Sequence, residues 1–149
     1  MLELPESVVT EIVAHAYACL PEEACGLLAG PAPTGAPGER AEVRWFRACR
    51  NVAASSRVYT LDPRDHLRAE RDAEDEGLEV IGVVHSHTHT EAYPSPTDVA
   101  QAPDPGWHYV IVSLKRPEPS LRSFRIVDGT ITEEPVVVVA GRGARPTDG

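Results

Sequence analysis

The chain has 149 residues, of which 42% are hydrophobic and 25% are charged, and its formal net charge is −9. This length is typical of one domain with one core, and an acidic balance without clustered Lys and Arg excludes binding of nucleic acid through its phosphates. The sequence has neither an apolar run near the ~18 residues of a membrane span nor a secretory signal, so we expect a soluble, cytoplasmic protein without a membrane partner.

The first third of the chain predicts one helix and two strands. Apolar residues at helical spacing indicate an amphipathic helix over Ser7–Cys19. The run Ala24–Gly30 is short, apolar and bounded by glycine, which predicts a buried strand. Pro31–Arg40 is rich in Pro and Gly and predicts an exposed hairpin loop. A second strand is then predicted over Glu42–Ala48.

The middle of the chain predicts a charged helix followed by a central strand. A short extended piece is expected at Val58–Leu61, and Asp62-Pro63 begins a helix that runs to about Glu76. Leu78–Val84 is a nearly continuous β-branched run, which indicates a strand buried on both faces of a sheet.

The last third of the chain predicts three more strands. They are expected at Tyr109–Leu114, Leu121–Ile126 and Ile131–Val139, with Asp128-Gly129 as the turn between the last two. Residues 140–149 predict a frayed, disordered tail. The order of elements predicts a single domain over residues 1–139, an α/β or α+β fold with a mixed β-sheet flanked by helices.

Two histidines, His85 and His87, follow the predicted central strand and are separated by one residue. Alternate residues of a strand point to the same face, about 6.5 Å apart at the backbone, so both imidazoles can converge on one metal ion. This short pattern by itself is equally compatible with packing roles for the two rings. A metal site therefore requires a third ligand.

Asp98 is the candidate third ligand. The run Ser95-Pro96-Thr97-Asp98 predicts a helix start with Ser95 as N-cap, which places the carboxylate in the first turn. Two histidines and one carboxylate around zinc leave a fourth position for water, as in catalytic zinc sites. The alternative is a capping box, in which Asp98 only reaches back to the N–H of Ser95.

These residues resemble the JAMM (MPN+) signature H-x-H-x7-S-x2-D, in which His85, His87, Ser95 and Asp98 fill every position. Glu23-Ala24-Cys25-Gly26 resembles the upstream Glu-x-Cys-Gly element of the same family. The resemblance implies a cytidine-deaminase-like fold and one Zn²⁺ per chain, held by the two histidines and the aspartate. It also implies a zinc metallopeptidase in which Glu23 is the general base and Ser95 donates to the oxyanion. The alternative is a metal-free scaffold or an assembly module of the same fold.

The chain is further similar to the bacterial Mec-type hydrolases of this family. The similarity lies in the metal loop 85–98, in residues 21–31, and in Tyr59–Asp62 and Arg125–Gly129. It implies release of cysteine from the C-terminus of a CysO-type ubiquitin-like sulfur carrier with a Gly-Gly tail, the last step of a cysteine-biosynthesis route. Only ten residues separate Asp98 from the predicted strand at Tyr109, which leaves no room for the insertion of chain-specific deubiquitinases. Cleavage of another ubiquitin-like protein or trimming of a carrier precursor remains open, as does the oligomeric state.

Other polar residues are expected to lie outside this chemistry. His89 extends the histidine alternation but matches no ligand position, and we expect it in an exposed loop. Cys25 is expected to be a buried, inert thiol, and the three scattered cysteines are expected to be reduced. Glu22 is interpreted as a surface acid. No role is assigned to the remaining candidates, which are His15, His66, Asn51 and Tyr59.

Overall fold

The computed structural model describes residues 1–140, so all of the predicted tail except Ala140 lies outside the described residues. The helices of the described chain are α1 (Glu6–Ala18), α2 (Pro63–Asp75) and α3 (Pro96–Ala100). The strands are β1 (Leu2–Pro5), β2 (Cys25–Gly30), β3 (Ala41–Glu42), β4 (Trp45–Cys49), β5 (Glu79–His87), β6 (His108–Ser113), β7 (Ser120–Val127), β8 (Thr130–Glu134) and β9 (Val136–Val139). Within residues 1–140, no helix is long and apolar enough to cross a membrane.

Six strands form the main sheet in the order β4-β2-β5-β6-β7-β8. Only β5 and β6 pair in parallel within it, and the other neighbours are antiparallel, so the predicted mixed sheet is confirmed. As predicted, β5 lies inside the sheet, and its residues from Ile81 to His87 are all buried. The β5–β6 connection contains α3, which follows the metal loop at the carboxyl end of β5.

Helices cover both faces of the main sheet. Alternate residues of a strand point to opposite faces, and the apolar runs of β2 and β5 therefore present apolar side chains on both. On one face α1 buries Val8, Ile12 and Ala16 in a core that contains Leu28 and Val84. On the other face Ala69 of α2 packs in a core that contains Leu27, Val83 and Tyr109, among others. The predicted start of α2 is also confirmed, since the side chain of Asp62 caps the N–H of Arg64 and Pro63 is the first helical residue.

A second, parallel sheet has the order β3-β1-β9 and corrects three sequence predictions. The short strand β1 was not predicted. The single strand predicted over Glu42–Ala48 is two strands in different sheets, because the N–H of Val43 donates to Glu3 in β1 while that of Arg44 donates to Ala29 in β2.

The strand predicted over Ile131–Val139 is also divided, into β8 of the main sheet and β9 of the small sheet. The break falls at Pro135, which has no N–H to continue the ladder but whose carbonyl accepts from Leu2 at the start of β1. The Asp128-Gly129 turn before β8 is confirmed, since both residues have positive φ, 50° and 78°.

Two loops differ in how well they match the sequence prediction. The loop 31–40 is exposed as predicted and leads from β2 to β3. The extended piece predicted at Val58–Leu61 does not form a strand and is represented by an isolated antiparallel bridge between Asn51 and Leu61.

Candidate metal centre and active site

The end of β5 and the first turn of α3 bring His85, His87 and Asp98 together. The two Nε2 atoms are 3.2 Å apart, and each lies 3.1 Å from Oδ2 of Asp98. All three side chains are buried, with 3%, 5% and 8% of their surfaces exposed. The structure therefore places the predicted ligand atoms around one point.

Hydrogen bonding shows that this cluster fits a cation. Nδ1 of His87 lies 2.8 Å from the carbonyl oxygen of Glu91, which can only accept, so Nδ1 carries the hydrogen. In the neutral ring Nε2 then presents a lone pair to Oδ2 of Asp98, which is also an acceptor, and two facing acceptors require a positive centre between them, either a proton on Nε2 or a metal ion. Tetrahedral zinc with ligand distances of about 2.0–2.1 Å would separate its ligand atoms by roughly 3.3 Å. The observed separations of 3.1–3.2 Å are close to that value.

The pKa values in the cluster respond to the same contacts. Burial raises the pKa of Asp98, but hydrogen bonds with His85 and His87 outweigh burial and hold it well below its usual range. Burial lowers the pKa of His87, but contacts with Asp98 and the Glu91 carbonyl give a net upward shift. For the more deeply buried His85, burial outweighs Asp98 and the pKa is lowered. A lowered pKa keeps this imidazole neutral, which is the form that binds metals.

Capping and metal binding are compatible at Asp98, although the sequence presented them as alternatives. The N–H of Ser95 donates to Oδ2 of Asp98 at 2.8 Å, and the N–H of Asp98 donates to Oγ of Ser95 at 3.0 Å, so the capping box is present. The same Oδ2 faces both histidines. The cap thus orients the carboxylate. Of the Ser95 hydroxyl group it uses only the oxygen, as an acceptor, so the O–H can still donate elsewhere.

Glu23 lies beside this cluster because β2 and β5 are antiparallel neighbours. Cys25 pairs with His85, and the N–H of Ser86 donates to the Ala24 carbonyl while Oγ of Ser86 accepts from the Ala24 N–H. Continuing this register places Glu23 opposite His87.

The Glu23 carboxyl group is in an unusual environment. Its residue is 4% exposed, and Oε1 is buried without a hydrogen-bond partner among residues 1–140. Burial raises its pKa to about 7, with smaller opposing contributions from His87, which lowers it, and Asp98, which raises it. A carboxyl group with this pKa can accept and return a proton near neutral pH.

Two residues without a predicted role contact the site. The ring of Tyr59 stacks on the imidazole of His85 at a centroid distance of 4.5 Å and an interplanar angle of 20°. Asn51 donates from Nδ2 to the carbonyl oxygen of Glu23 at 3.0 Å. Sequence reasoning missed them because both contacts join segments that are far apart in the chain.

The remaining candidates lie outside the cluster. His89 is exposed, as predicted. Cys25 is 1% exposed and burial raises its pKa to about 12, which confirms an inert thiol. His15 does have a partner, since its Nε2 lies 3.0 Å from the carbonyl oxygen of Cys25. His66 lies 3.8 Å from the carboxylate of Glu70.

Comparisons with known proteins match most of this chain. A family model of prokaryotic homologs of the JAB domain matches residues 5–127. The CysO-cysteine peptidase of Mycobacterium tuberculosis is 44% identical over 140 residues, which cover 93% of this chain and 92% of the relative. A probable TtuB-protein conjugate cleaving protease of Thermus thermophilus is 34% identical over 103 residues, 68% of this chain and 64% of the relative. The solution structure of a Desulfitobacterium hafniense protein matches with a TM-score of 0.84 at 35% identity, over 94% of both chains.

Proposed function

Since the chain belongs to the family of prokaryotic JAB-domain homologs, we propose that it is a zinc-dependent peptidase that acts on a ubiquitin-like sulfur-carrier protein. The bond cleaved is the amide between the C-terminal glycine of the carrier and an added cysteine, and the products are free cysteine and a carrier that ends in Gly-Gly. The 44% identical relative, whose name is CysO-cysteine peptidase, supports this substrate. Release of the amino acid would be the last step of a route that makes cysteine on a carrier.

One observation carries the proposal: three side chains of the metal-ligand type, each at most 8% exposed, converge beside a buried carboxyl group whose pKa is raised by burial to about 7. His85, His87 and Asp98 would hold the zinc ion. When bound, zinc supplies Lewis-acid activation of water and polarisation of the scissile carbonyl group. This chemistry would need a base beside the ion, and the register of β2 on β5, continued two residues beyond Cys25, supports Glu23 in that role.

Glu23 and Ser95 would complete the hydrolysis. The Glu23 carboxylate takes a proton from the attacking water as the new C–O bond forms, and then delivers it to the amine nitrogen of cysteine as the C–N bond breaks. Ser95 would donate its O–H to the oxyanion, since its oxygen already accepts from the N–H of Asp98. The loss of one such donor costs about 2.7–4 kcal/mol of transition-state stabilisation in a well-studied hydrolase.

The fold supports a small leaving group and an extended tail. Only residues 101–107 connect α3 to β6, so little structure follows Asp98 on which a second folded protein could dock. β4 is an edge strand of the main sheet, and its neighbour β2 leads back to Glu23. An extended Gly-Gly tail could add to such an edge by main-chain hydrogen bonds, and glycine allows the close approach of the backbone.

A second candidate function is cleavage of conjugates between a ubiquitin-like protein and another protein. The name of the Thermus relative describes this activity. It would use the same residues, so the two candidates differ in the leaving group alone.

The distinguishing experiment incubates the zinc-loaded protein with a carrier ending in Gly-Gly-Cys and, separately, with an isopeptide-linked conjugate of the same carrier. Mass spectrometry should show loss of one cysteine residue from the first substrate and an intact conjugate. Glu23→Gln should remove nearly all of this turnover, whereas Glu22→Gln, one residue out of register, should preserve it. An intact Gly-Gly-Cys carrier together with a cleaved conjugate would favour the second candidate, and cleavage of neither would refute both.

A further inference from the structure

The backbone of Glu23 is bound to a loop and not to the sheet. β2 begins at Cys25, so the N–H and the carbonyl group of Glu23 lie before the strand. Its N–H donates to the carbonyl oxygen of Ser55 at 2.8 Å, and its carbonyl oxygen accepts from Nδ2 of Asn51 at 3.0 Å. Both partners belong to residues 51–61, here called the Asn51 loop. The position of the proposed base therefore depends on the conformation of this loop.

The carboxamide of Asn51 organises the whole loop. Nδ2 donates to the carbonyl oxygens of Glu23 and Val58, at 3.0 and 3.1 Å. Oδ1 accepts from the N–H groups of Ala53 and Thr60, at 3.0 and 2.9 Å. Two donors and two accepting lone pairs are the full capacity of an Asn side chain, so all of its hydrogen bonds are made.

The same carboxamide positions Tyr59. This residue lies between Val58 and Thr60, both of which bind Asn51, so its backbone is held on either side. Its ring stacks on His85. Among residues 1–140, Nδ1 of His85 is buried without a hydrogen-bond partner, and the stacked ring of Tyr59 is a contact that restricts the orientation of this imidazole.

We propose that Asn51 is a positioning residue of the peptidase, which sets the place of Glu23 and of the Tyr59 ring through one fully bonded carboxamide. The inference rests on the proposed role of Glu23 as general base. Asparagine is required because the position needs donors and acceptors together. An aspartate in its place would keep the two acceptor contacts but would lose both donors and set a carboxylate against two carbonyl oxygens. A general base that moves by about 1 Å can lose a factor of about 100 in rate.

The test is a double-mutant cycle of Asn51→Asp with Glu23→Gln, measured with the Gly-Gly-Cys carrier at saturating zinc and with long incubations to record residual turnover. In the wild-type background we expect Asn51→Asp to lower kcat by at least about 10-fold with KM within about threefold. In the Glu23→Gln background the same change should lower kcat less than about threefold, because the part of its effect that runs through Glu23 is already lost and only the part through Tyr59 remains.

Amide hydrogen exchange of the metal-free protein supplies a readout that does not depend on activity. Asn51→Asp should speed exchange of the Glu23 amide, which donates to Ser55. The matched control is Glu39→Ala, because Glu39 organises the loop 31–40 at the other end of β2 by accepting from Thr34 and Gly35. It should change neither kcat nor exchange at Glu23.

The outcomes distinguish a failure of the positioning role from a failure of the proposed function. An equal loss of kcat in both backgrounds, or unchanged exchange at Glu23, would overturn the role of Asn51 and leave the proposed function standing. Full activity of the single variant Glu23→Gln would overturn the proposed base, and the positioning role with it.

Discussion

Glu23→Gln should stabilise the metal-free protein at neutral and basic pH, although it removes nearly all activity of the zinc-loaded protein. The wild-type side chain is a buried carboxyl group whose pKa is raised by burial from 4.5 to about 7. The folded state thus binds this proton more tightly than the unfolded state. That contribution to the free energy of unfolding is complete below pH 4.5 and is lost as the pH rises to about 7. Gln has the same shape and no charge to bury.

The size of the effect follows from the two pKa values. A difference of about 2.5 in pKa corresponds to about 3 kcal/mol, and relaxation of the surrounding groups around the buried charge reduces the expected gain to about 2 kcal/mol. Urea unfolding of the chelator-treated proteins between pH 5 and pH 8 would measure it. The advantage of Glu23→Gln should be small at pH 5 and reach its full size by pH 8, and Glu22→Gln should show no such trend. A Gln variant that is no more stable than wild type at pH 8 would refute the burial argument.

Three further predictions concern the metal, the oxyanion and Glu134, the last residue of β8 in the main sheet. Elemental analysis should find one zinc ion per chain in the wild type and a large loss in His87→Ala, and unchanged zinc in the variant would contradict the ligand set. Ser95→Ala should lower kcat by roughly 100-fold or more through the lost donor and the free energy of unfolding by about 1 kcal/mol through the lost cap, whereas near-normal kcat would exclude the donor role. Burial raises the pKa of Glu134, but hydrogen bonds with His108 and Ser123 outweigh burial and lower it to about 2. Its contribution to stability is complete above pH 4.5 and is lost as the pH falls to about 2. In urea unfolding, Glu134→Gln should be less stable than wild type by about 2–3 kcal/mol at pH 7, and its free energy of unfolding should fall less between pH 4.5 and pH 2. An equal fall in the two proteins would disprove this.

The sequence predicted best the elements that local patterns define. The helical spacing of Val8, Ile12 and Ala16 and the Asp62-Pro63 start mark α1 and α2 without reference to the rest of the chain. The β-branched run before His85 marks β5 as an inner strand. Patterns of this kind record the period of burial, which is the same wherever the element packs.

Strand ends depended on partners that are distant in sequence. A continuous run of strand-forming residues includes both Val43 and Arg44, yet the two amides pair with different sheets. β1 is only four residues long and is held between β3 and β9, so its strand character comes from its neighbours. Propensity describes how a residue fits a sheet but not which sheet it joins.

At the site, the sequence by itself determined the identity and spacing of the metal-ligand candidates, because His85, His87 and Asp98 belong to one strand end and the helix start that follows it. Only the tertiary structure decided how Glu23, Asn51 and Tyr59 join them. Antiparallel pairing of β2 with β5 brings Glu23 from a distant part of the sequence to face His87, and the hydrogen bonds of Asn51 set the loop that holds it. The physical reason is that burial and the pKa of a carboxyl group depend on what surrounds it in space, and those surroundings exist only once the sheet has formed.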